Sequence, residues 1–435
     1  MKTTKDNSLV NEFLAGCMDS WEPEEIVDAA LVEHLLTGIM VQNKPTPNKI
    51  HDEGSSGPSK RAYYRHIHAL APKMPDALRR VIVNVQQDPK LAIKPGGVLS
   101  LDEHIVPHSS KEMEGVSPMF STAERGVILG LSLIAVHYFH KRVEYPVDFE
   151  NYRRFEELQQ WGKDAEYREK NEIARGLIER ISAFPNAPST WLMDSFFMTK
   201  KNVRLLRHLL KDYISRPKRN WTCTYNKKHY SFGELFDTIP AEEFVKTLVK
   251  NPKTGRVKEY YTATRNVFIP GIGTHLVVFI WCKGKGEQND VIEETPEIFD
   301  APSKCKFRLF ITDRTDWDAA TVLSLYSLRW TIETCFRDLS QNLGLHGCKW
   351  RQLDGQRCFV ALAFLCYLFL AWAQAHGRLV RYRPEKGTLG QKRQAFEHYC
   401  QEEFSNWFAE IKRQGEDCAL ALWFYNHVFG GGMEE

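Results

Sequence analysis

The most regular pattern of apolar residues in this chain lies between residues 325 and 343. Apolar side chains recur there at steps of three and four, at Leu325, Leu328, Ile332, Phe336, Leu339 and Leu343. This period predicts one long amphipathic helix that buries one face in a core. A stripe beside that face has the same period and carries Tyr326, Arg329, Glu333, Arg337 and Ser340.

Two interpretations of this stripe are open. Because residues three and four apart are neighbours on a helix, Glu333 is expected to lie between Arg329 and Arg337. Such a row can be a structural ladder of ion pairs. It can equally be a catalytic carboxylate beside arginines that bind phosphate.

The period of the pattern changes along the first half of the chain. Residues 1–95 have helical spacing, and Ser59 is expected to cap a short basic helix there. Three apolar runs with no helix between them predict an antiparallel meander of strands, at 98–106, 126–139 and 142–152. A helix, a strand and a second helix are then predicted, at 164–182, 189–197 and 200–213. This order predicts a mixed α/β fold with a ribonuclease-H-like sheet.

The pattern becomes irregular between residues 214 and 304, where short strand-like pieces indicate a β-rich insertion. Its last part, residues 283–304, is polar and predicts a flexible loop. A further core strand is expected at 306–313, and Asp316 is expected to cap the helix that carries the stripe. The apolar run from Cys358 to Ala373 is shorter than the roughly 20 residues of a membrane span, so a buried helix is expected there.

Composition and charge narrow the functional classes. The chain has 435 residues, of which 43% are hydrophobic, so two or three ordered units are expected and a disordered protein is excluded. Its ten cysteines form no zinc-binding ladder and suit a reducing cytoplasm, and the N-terminus has no signal-peptide pattern. The net charge is only +3, but residues 59–94, 200–228 and 377–393 are strongly basic. Local basic patches on a nearly neutral chain predict a polyanionic partner.

Three acidic residues fall at related points of the predicted topology. Asp102 lies in the first core strand, Asp194 at the end of the fourth, and Glu333 on the helix after the insertion. Taken singly, each has a structural alternative, such as a turn or a strand end. In a ribonuclease-H-like sheet the first and fourth strands are neighbours, so the three carboxylates would converge. Converging carboxylates repel one another unless a cation neutralises them, and oxygen ligands suit Mg²⁺ or Mn²⁺. Two such ions could support displacement at a phosphodiester.

The segments around these acids resemble the insertion-sequence DDE transposases, in the branch with a β-strand insertion before the last acid. The similar segments are LSLDEHIVP, WLMDSFFMTK and YSLRWTIETCFRDLSQNLGL. The last contains Tyr326, Arg329 and Glu333 of the branch's Tyr-x2-Arg-x3-Glu-x6-Lys signature. The lysine of that signature is replaced by Ser340, and Arg337, Lys349 and Arg351 are the candidates to compensate for it.

The resemblance implies a DNA transposase that cuts transposon ends and transfers the freed strand into target DNA. It implies Asp102, Asp194 and Glu333 as the catalytic and metal-binding residues, with two Mg²⁺ or Mn²⁺ ions. Tyr326 and Arg329 would hold the phosphate of the strand being cut. Lys218, Arg219 and Trp221 form a further candidate DNA contact, although a buried anchor is the alternative for Trp221.

The expected organisation has five parts. They are a helical DNA-binding region at 1–95, a catalytic core at 96–213 and 305–375, a β-rich insertion at 214–304, and a basic helical region at 376–435. The expected partners are terminal inverted repeats and target DNA, with a homodimer on paired ends, no membrane, and a place at the nucleoid in a bacterial cytoplasm. Two other functions stay open: a catalytically inactive DNA-binding descendant, favoured by Ser340, and a metal-dependent nuclease without strand transfer.

Overall fold

A computed structural model describes residues 8–18, 29–42, 45–53, 59–121, 124–218, 220–281, 307–348, 350–382 and 387–414. The predicted loop at 283–304 lies outside these residues. The α-helices are α1 (Leu9–Met18), α2 (Ala29–Val41), α3 (Pro47–Glu53), α4 (Lys60–Leu70), α5 (Met74–Val85), α6 (Phe155–Gln160), α7 (Lys170–Ser182), α8 (Lys200–His208), α9 (Phe232–Asp237), α10 (Ala319–Tyr326), α11 (Trp330–Asn342), α12 (Leu353–Ala375) and α13 (Leu389–Gln414). The strands are β1 (Val98–Pro107), β2 (Ser117–Ser121), β3 (Gly126–His140), β4 (Val143–Tyr152), β5 (Thr190–Met193), β6 (Asp212–Ser215), β7 (Thr222–Tyr225), β8 (Lys228–Ser231), β9 (Val245–Lys250), β10 (Val257–Ile269), β11 (Gly273–Trp281) and β12 (Phe307–Thr312).

These strands form one mixed sheet. Its order is β2-β3-β1-β5-β6-β12-β11-β10-β7-β8, with β4 also paired to β3 and β9 to β10. β1 and β4 both run antiparallel to β3, which confirms the predicted meander. β5 runs parallel to β1, and β6 runs parallel to β5. Three antiparallel strands extended by parallel ones give the ribonuclease-H-like arrangement, and the predicted mixed α/β class is confirmed.

The helix between the parallel strands β5 and β6 is shorter than predicted, and it ends before β6 begins. The predicted helix at 200–213 ends as α8 at His208, and the backbone at Leu210 takes a positive φ of 55°. The N–H of Lys211 then donates to the carbonyl of Leu206 at 2.8 Å, which closes the end of the helix. Residues 212 and 213, predicted as helix, therefore belong to β6. The short strand β2 was also absent from the prediction.

The predicted single helix through the polar stripe is divided in two. α10 ends at Tyr326, a 3-10 turn covers Ser327–Arg329, and α11 begins at Trp330. The hydroxyl of Ser327 donates to the carbonyl of Ser324 at 2.6 Å, and such side-chain bonds to the backbone compete with regular helical bonds. The cap of α10 is Asp318, which accepts from the N–H of Thr321 at 2.7 Å, so the prediction of Asp316 as the cap is wrong.

The apolar helix predicted around residues 358–373 is α12, and it packs against β4, α5 and α2. By length and composition it could span a membrane, but 83% of its most apolar window is buried inside the protein. This burial confirms the predicted core helix. Ser59 also caps α4 as predicted, because its side chain accepts from the N–H of Ala62.

The strands between residues 222 and 281 extend the same sheet as the acidic strands. β12, the predicted strand at 306–313, pairs with β6 on one side and with β11 on the other. β10 pairs with β11 and β9, and with β7 at a single position. The described part of the insertion is therefore β-rich, and it is continuous with the core through β12.

Candidate active site

Two of the three candidate acids lie at one edge of the sheet. Leu101 in β1 is in register with Met193 in β5, and the two strands are parallel. Asp102 and Asp194 each come one residue after this pair, so they meet at the carboxyl ends of neighbouring strands. The structure therefore brings Asp102 and Asp194 together, which is the part of the predicted convergence that concerns the two strands.

Local hydrogen bonds fix the orientation of both carboxylates. Oδ1 of Asp194 accepts from the N–H groups of Phe196 and Phe197, at 2.9 and 3.1 Å, in the turn after β5. Oδ1 of Asp102 accepts from the N–H of Glu103 at 2.8 Å. Asp102 remains within the β1–β3 pairing, opposite Ala135. Each acid is thus held by backbone donors and has little freedom to turn away.

Arg329 joins the third acid to the first. Its Nη1 donates to Oδ2 of Asp102 at 2.7 Å, and its Nη2 donates to Oε1 of Glu333. The side chains of Arg329 and Asp102 are each 15% exposed, and that of Glu333 is 30% exposed. Arg329 and Glu333 of the stripe thus form one ion pair that also reaches Asp102, so the structural and the catalytic interpretations are not exclusive. Arg337 instead donates to the hydroxyl of Thr334 at 3.3 Å.

The electrostatics of the site follow from burial and crowding. Burial raises the pKa of Asp102 to about 7, the guanidinium of Arg329 opposes that shift, and the carboxylates of Asp194 and Glu333 add to it. Burial also raises the pKa of Asp194, whereas the hydrogen bond from the N–H of Phe197 and the charge of Arg329 act to lower it. A further cation at this edge would relieve the repulsion between these groups.

Tyr326 lies beneath the acids. Its side chain is buried, and its hydroxyl donates to the carbonyl of Met193 at 3.4 Å. Burial raises its pKa to about 12, so the hydroxyl keeps its proton. In this structure Tyr326 supports the strand that precedes Asp194, and its contact with DNA stays a prediction.

The other predicted DNA contacts are spread over the surface. Arg337 is exposed on α11, and Arg351 is exposed and pairs with Glu112 at 3.0 Å. Lys218 is exposed, whereas Trp221 is partly buried and packs on the main core, which favours the anchoring role. Arg219 and Lys349 lie outside the described residues. None of the four that the structure describes belongs to the group formed by Asp102, Arg329 and Glu333. These four are Arg337, Arg351, Lys218 and Trp221.

Ser340 packs among uncharged side chains and not in a cluster of cations. Its hydroxyl donates to the carbonyl of Phe336 at 2.8 Å and so accepts from Nε2 of His346 at 2.9 Å. The ring of His346 is parallel to that of His104, with centroids 5.9 Å apart, and His104 stacks on Phe336 at 4.8 Å. Burial lowers the pKa of His104 to about 4, so this array is neutral near pH 7.

One arginine at the sheet edge was absent from the sequence-based candidates. Met193 is in register with Ser215 of β6, so Arg216, one residue later, lies at the same sheet edge as Asp102 and Asp194. Its positive charge lowers the pKa of Tyr326, which places it electrostatically close to the site. Recognition of β6 would have found it, because residues after neighbouring parallel strands meet at one edge. Lys170 was also absent from the sequence-based candidates. It pairs with Glu103 at 2.6 Å and lies over the ring of Phe196 at 5.6 Å, and no local sequence pattern indicates either contact.

The donor set suits a hard divalent cation in part. The acids supply only oxygen ligands, and a cation would favour the charged forms of Asp102 and Asp194, whose pKa values burial raises. In the part of the chain that the structure describes, however, no three His, Cys, Asp or Glu residues stand close enough to share one ion. Glu333 is held by Arg329 in this arrangement. Asp102 is held by the same guanidinium, so the oxygens of both acids would fit an ion only once Arg329 moves away.

Comparison with known proteins agrees with this geometry. The family described as "Transposase DDE domain" matches residues 162–369, a stretch that contains Asp194, the described insertion strands and Glu333. The match begins after β1, so Asp102 is supported by the fold and not by the match. No curated protein matches the chain. Residues 162–369, which lie in the ribonuclease-H-like sheet and its helices, thus match the DDE transposase family.

Proposed function

We propose that this protein cuts DNA at the ends of a transposable element and joins the freed 3′ end to target DNA, in a reaction that depends on Mg²⁺ or Mn²⁺. The observation that carries the proposal is the row Asp102–Asp194 at the carboxyl ends of two parallel strands, joined to Glu333 through Arg329.

The three acids would hold two divalent ions. Such ions, when bound, activate an attacking oxygen and stabilise a leaving one. The chain's own contribution is to orient Asp102 and Asp194 by backbone hydrogen bonds, which limit the rotation of both carboxylates. The chain also buries Tyr326 beneath the acids, which keeps its hydroxyl protonated. That hydroxyl donates to the carbonyl of Met193 at the end of β5.

Arg329 has two roles in this proposal. In the present structure it neutralises Asp102 and Glu333. When Glu333 turns to the metal site, one arm of the guanidinium becomes available for a DNA phosphate, for which its planar fork is suited. Arg216, at the same sheet edge, would hold a second phosphate oxygen.

The wider context follows from the family. The substrates would be the terminal inverted repeats of the element and a target duplex, bound by a homodimer that pairs two ends. The branch would be that with the β-strand insertion and the Tyr-Arg-Glu-Lys type of signature. Residues 1–95 would contribute to DNA binding, and the protein would act in a bacterial cytoplasm at the nucleoid.

The proposal is tested by a strand-cleavage assay on a plasmid that carries the DNA flanking this gene. With Mg²⁺ or Mn²⁺, the wild-type protein should nick at the element ends, and Asp194→Asn and Glu333→Gln should reduce the rate at least a hundredfold, as expected for loss of a metal ligand. The matched control is Asp316→Asn, an exposed carboxylate beside Arg314, which should leave the rate unchanged. Equal cutting by all four proteins would refute the assignment.

A second function is favoured by one observation, the packing of Ser340 against His346 where the signature has lysine. It is a DNA-binding protein that has lost catalysis. Calorimetric titration with Mn²⁺ separates the active enzyme from the inactive DNA-binding protein. A working site should bind the ion, and Asp102→Ala should abolish that binding, whereas an inactive scaffold should bind none. A nuclease without strand transfer is distinguished by its products, which would contain cut ends and no joined strands.

A further inference from the structure

A group of cations covers the outer side of α8. Lys200, Lys201, Arg204 and Arg207 are all exposed, and a helix with 3.6 residues per turn places these four positions on one side. The helix itself contains no acidic residue. We refer to these four side chains as the α8 basic face.

The charge of the α8 basic face is largely uncompensated. In the part of the chain that the structure describes, none of its four side chains forms an ion pair with a carboxylate. The charge of Arg207 favours the ionised form of the half-buried Asp313, which compensates that one charge in part. Like charges three and four residues apart destabilise a helix, and positive charge in the first turn opposes the helix dipole. A helix that bears both costs is typical of a surface for an external polyanion.

The turn between β10 and β11 orders the two arginines of this face. Nε of Arg204 donates to the carbonyl of Gly271 at 2.9 Å, and Nη1 of Arg207 donates to the carbonyl of Ile272. The backbone of Gly271 has a φ of 89°, and a Cβ there would lie 2.9 Å from Nη2 of Arg204, so this close approach requires glycine. A carbonyl accepts a hydrogen bond without neutralising the donor. The guanidinium groups are therefore held in position and keep their charge.

A short hydrogen-bonded segment connects the α8 basic face to the acids. Oδ1 of Asp194 accepts from the N–H of Phe197 at 3.1 Å, and the carbonyl of Phe197 accepts from the N–H of Thr199 at 2.9 Å. The hydroxyl of Thr199 accepts from the N–H of Asn202 at 3.2 Å and so caps α8. The basic face therefore begins at the sheet edge where Asp194 lies.

α8 lies on the face of the sheet opposite to α11. Successive residues of a strand point to opposite faces. Asp102 points towards α11, where it pairs with Arg329, whereas Glu103 pairs with Lys170 of α7 at 2.6 Å. α8 packs beside α7 and therefore shares that second face. The acids thus have Arg329 of the α10–α11 turn on one side and the α8 basic face on the other.

We propose that the α8 basic face binds the backbone of the target duplex, while the cut end of the element lies on the side of α11. This inference rests on the proposed function, since joining requires two DNA molecules to meet at the acids. A target of no fixed sequence is held through its phosphates, which lysine and arginine contact without reading the bases. α8 is about 14 Å long, which is the axial rise of about four phosphates of one strand. The basic face positions the target and takes no part in bond cleavage.

The first measurement is the salt dependence of DNA binding, by fluorescence anisotropy with a labelled duplex of arbitrary sequence in EDTA. Each phosphate contact contributes about 0.9 to the slope of log affinity against log salt concentration. Lys201→Gln and Arg204→Gln should each lower the slope by about that amount, whereas Arg204→Lys should keep most of it. The matched control is Lys228→Gln, an exposed lysine of the same basic stretch of sequence that lies on β8, at the far edge of the sheet. Its slope should equal that of the wild type.

Thermal unfolding separates a binding role from a structural one. Lys201→Gln removes a positive charge from the first turn of α8, so the Tm should stay the same or rise while DNA binding weakens. A lower Tm together with an unchanged salt slope would overturn the assignment, because Lys201 would then stabilise the fold and bind no DNA.

The rates of cutting and joining identify which duplex the basic face binds. With a pre-cut element end, Lys201→Gln should raise the concentration of target plasmid needed for half-maximal joining about eightfold at about 0.1 M salt, the factor that corresponds to one lost phosphate contact. Its rate of cutting at the element ends should equal that of the wild type. Equal slowing of cutting and joining would overturn the assignment to the target.

These outcomes are distinct from a failure of the proposed function. Equal salt slopes for Lys201→Gln, Arg204→Gln and Lys228→Gln would overturn the inference even in a protein that cuts DNA normally. If the wild-type protein cuts no DNA, the proposed function fails, and lower slopes in the first two variants would still support a duplex-binding surface on α8.

Discussion

Replacement of Arg329 by methionine is expected to destabilise the protein in a way that depends on pH. Methionine keeps the straight side chain but removes both donors, so Asp102 loses the charged partner that lies 2.7 Å from it. The substitution leaves the backbone donor of Glu103 in place. What changes is the free energy needed to keep a negative charge at the end of β1.

The magnitude follows from the pKa of Asp102, which burial raises to about 7 while Arg329 opposes the shift. Without Arg329 the pKa rises further. Below about pH 7 the carboxyl is protonated in both proteins, and the variant loses a hydrogen bond worth about 1–2 kcal/mol. Above that pH the folded variant retains a proton that the folded wild type has released. Its stability relative to wild type therefore falls by about 1.4 kcal/mol per pH unit, towards the 3–5 kcal/mol typical of a broken buried pair.

The assay is urea unfolding followed by circular dichroism, repeated from about pH 6 to about pH 9, the range that brackets this pKa. Arg329→Lys keeps a positive charge and should reduce the slope with pH. The double variant Arg329→Met with Asp102→Asn removes the titrating group and should abolish it. A difference from wild type that stays constant over the whole range would refute the reasoning, because it would mean that the guanidinium does not control the charge of Asp102.

Three further predictions concern the scaffold. Burial lowers the pKa of His137 to about 4. Below about pH 6.5 the unfolded chain therefore binds a proton at this histidine that the folded chain does not, and the free energy of unfolding should fall by up to about 3 kcal/mol between these two pH values. His137→Asn should lessen that loss in urea titrations at two pH values, whereas His66→Asn should not. Gly130→Ala should cost about 1–3 kcal/mol, because a Cβ there would lie 2.4 Å from Cγ2 of Ile105, while Gly176→Ala in α7 meets no atom within 4 Å and should stabilise by about 0.5–1 kcal/mol in the same denaturation assay. Asp318→Ala should cost about 1 kcal/mol through loss of the α10 cap, and Asp316→Ala should cost much less; equal thermal stability of the two variants would contradict the observed cap.

The strands that carry the acids were predictable from the apolar residues that precede each acid, Val98, Leu99 and Leu101 in β1 and Trp191, Leu192 and Met193 in β5. The parallel register of β1 and β5 then follows from the order of elements, and with it the meeting of Asp102 and Asp194. The end of α8 was not predictable, since the helical spacing of leucines continues through Leu209 and Leu210. Only the positive φ at Leu210 ends it, and that conformation has no signature in a leucine. The loss of β6 from the prediction is why Arg216 was overlooked.

Contacts between distant parts of the chain set a second limit. Arg329 and Asp102 are 227 residues apart in sequence, and nothing local announces their ion pair. The same holds for Lys170 and Glu103, which pair across a sequence separation of 67 residues. Each of these residues is an ordinary charge in the sequence, and only the fold brings the partners together.

The pairing of β12 has a consequence for any attempt to shorten this protein. β12 shares only two paired positions with β6 but six with β11, so most of its backbone donors and acceptors are satisfied by the insertion. Removal of residues 222–281 would leave the segment FRLFIT as an open edge rich in aromatic and β-branched side chains. Such edges recruit other chains by strand addition and lead to aggregation. A trimmed catalytic core would therefore precipitate unless a designed strand or a row of charged residues replaced β11.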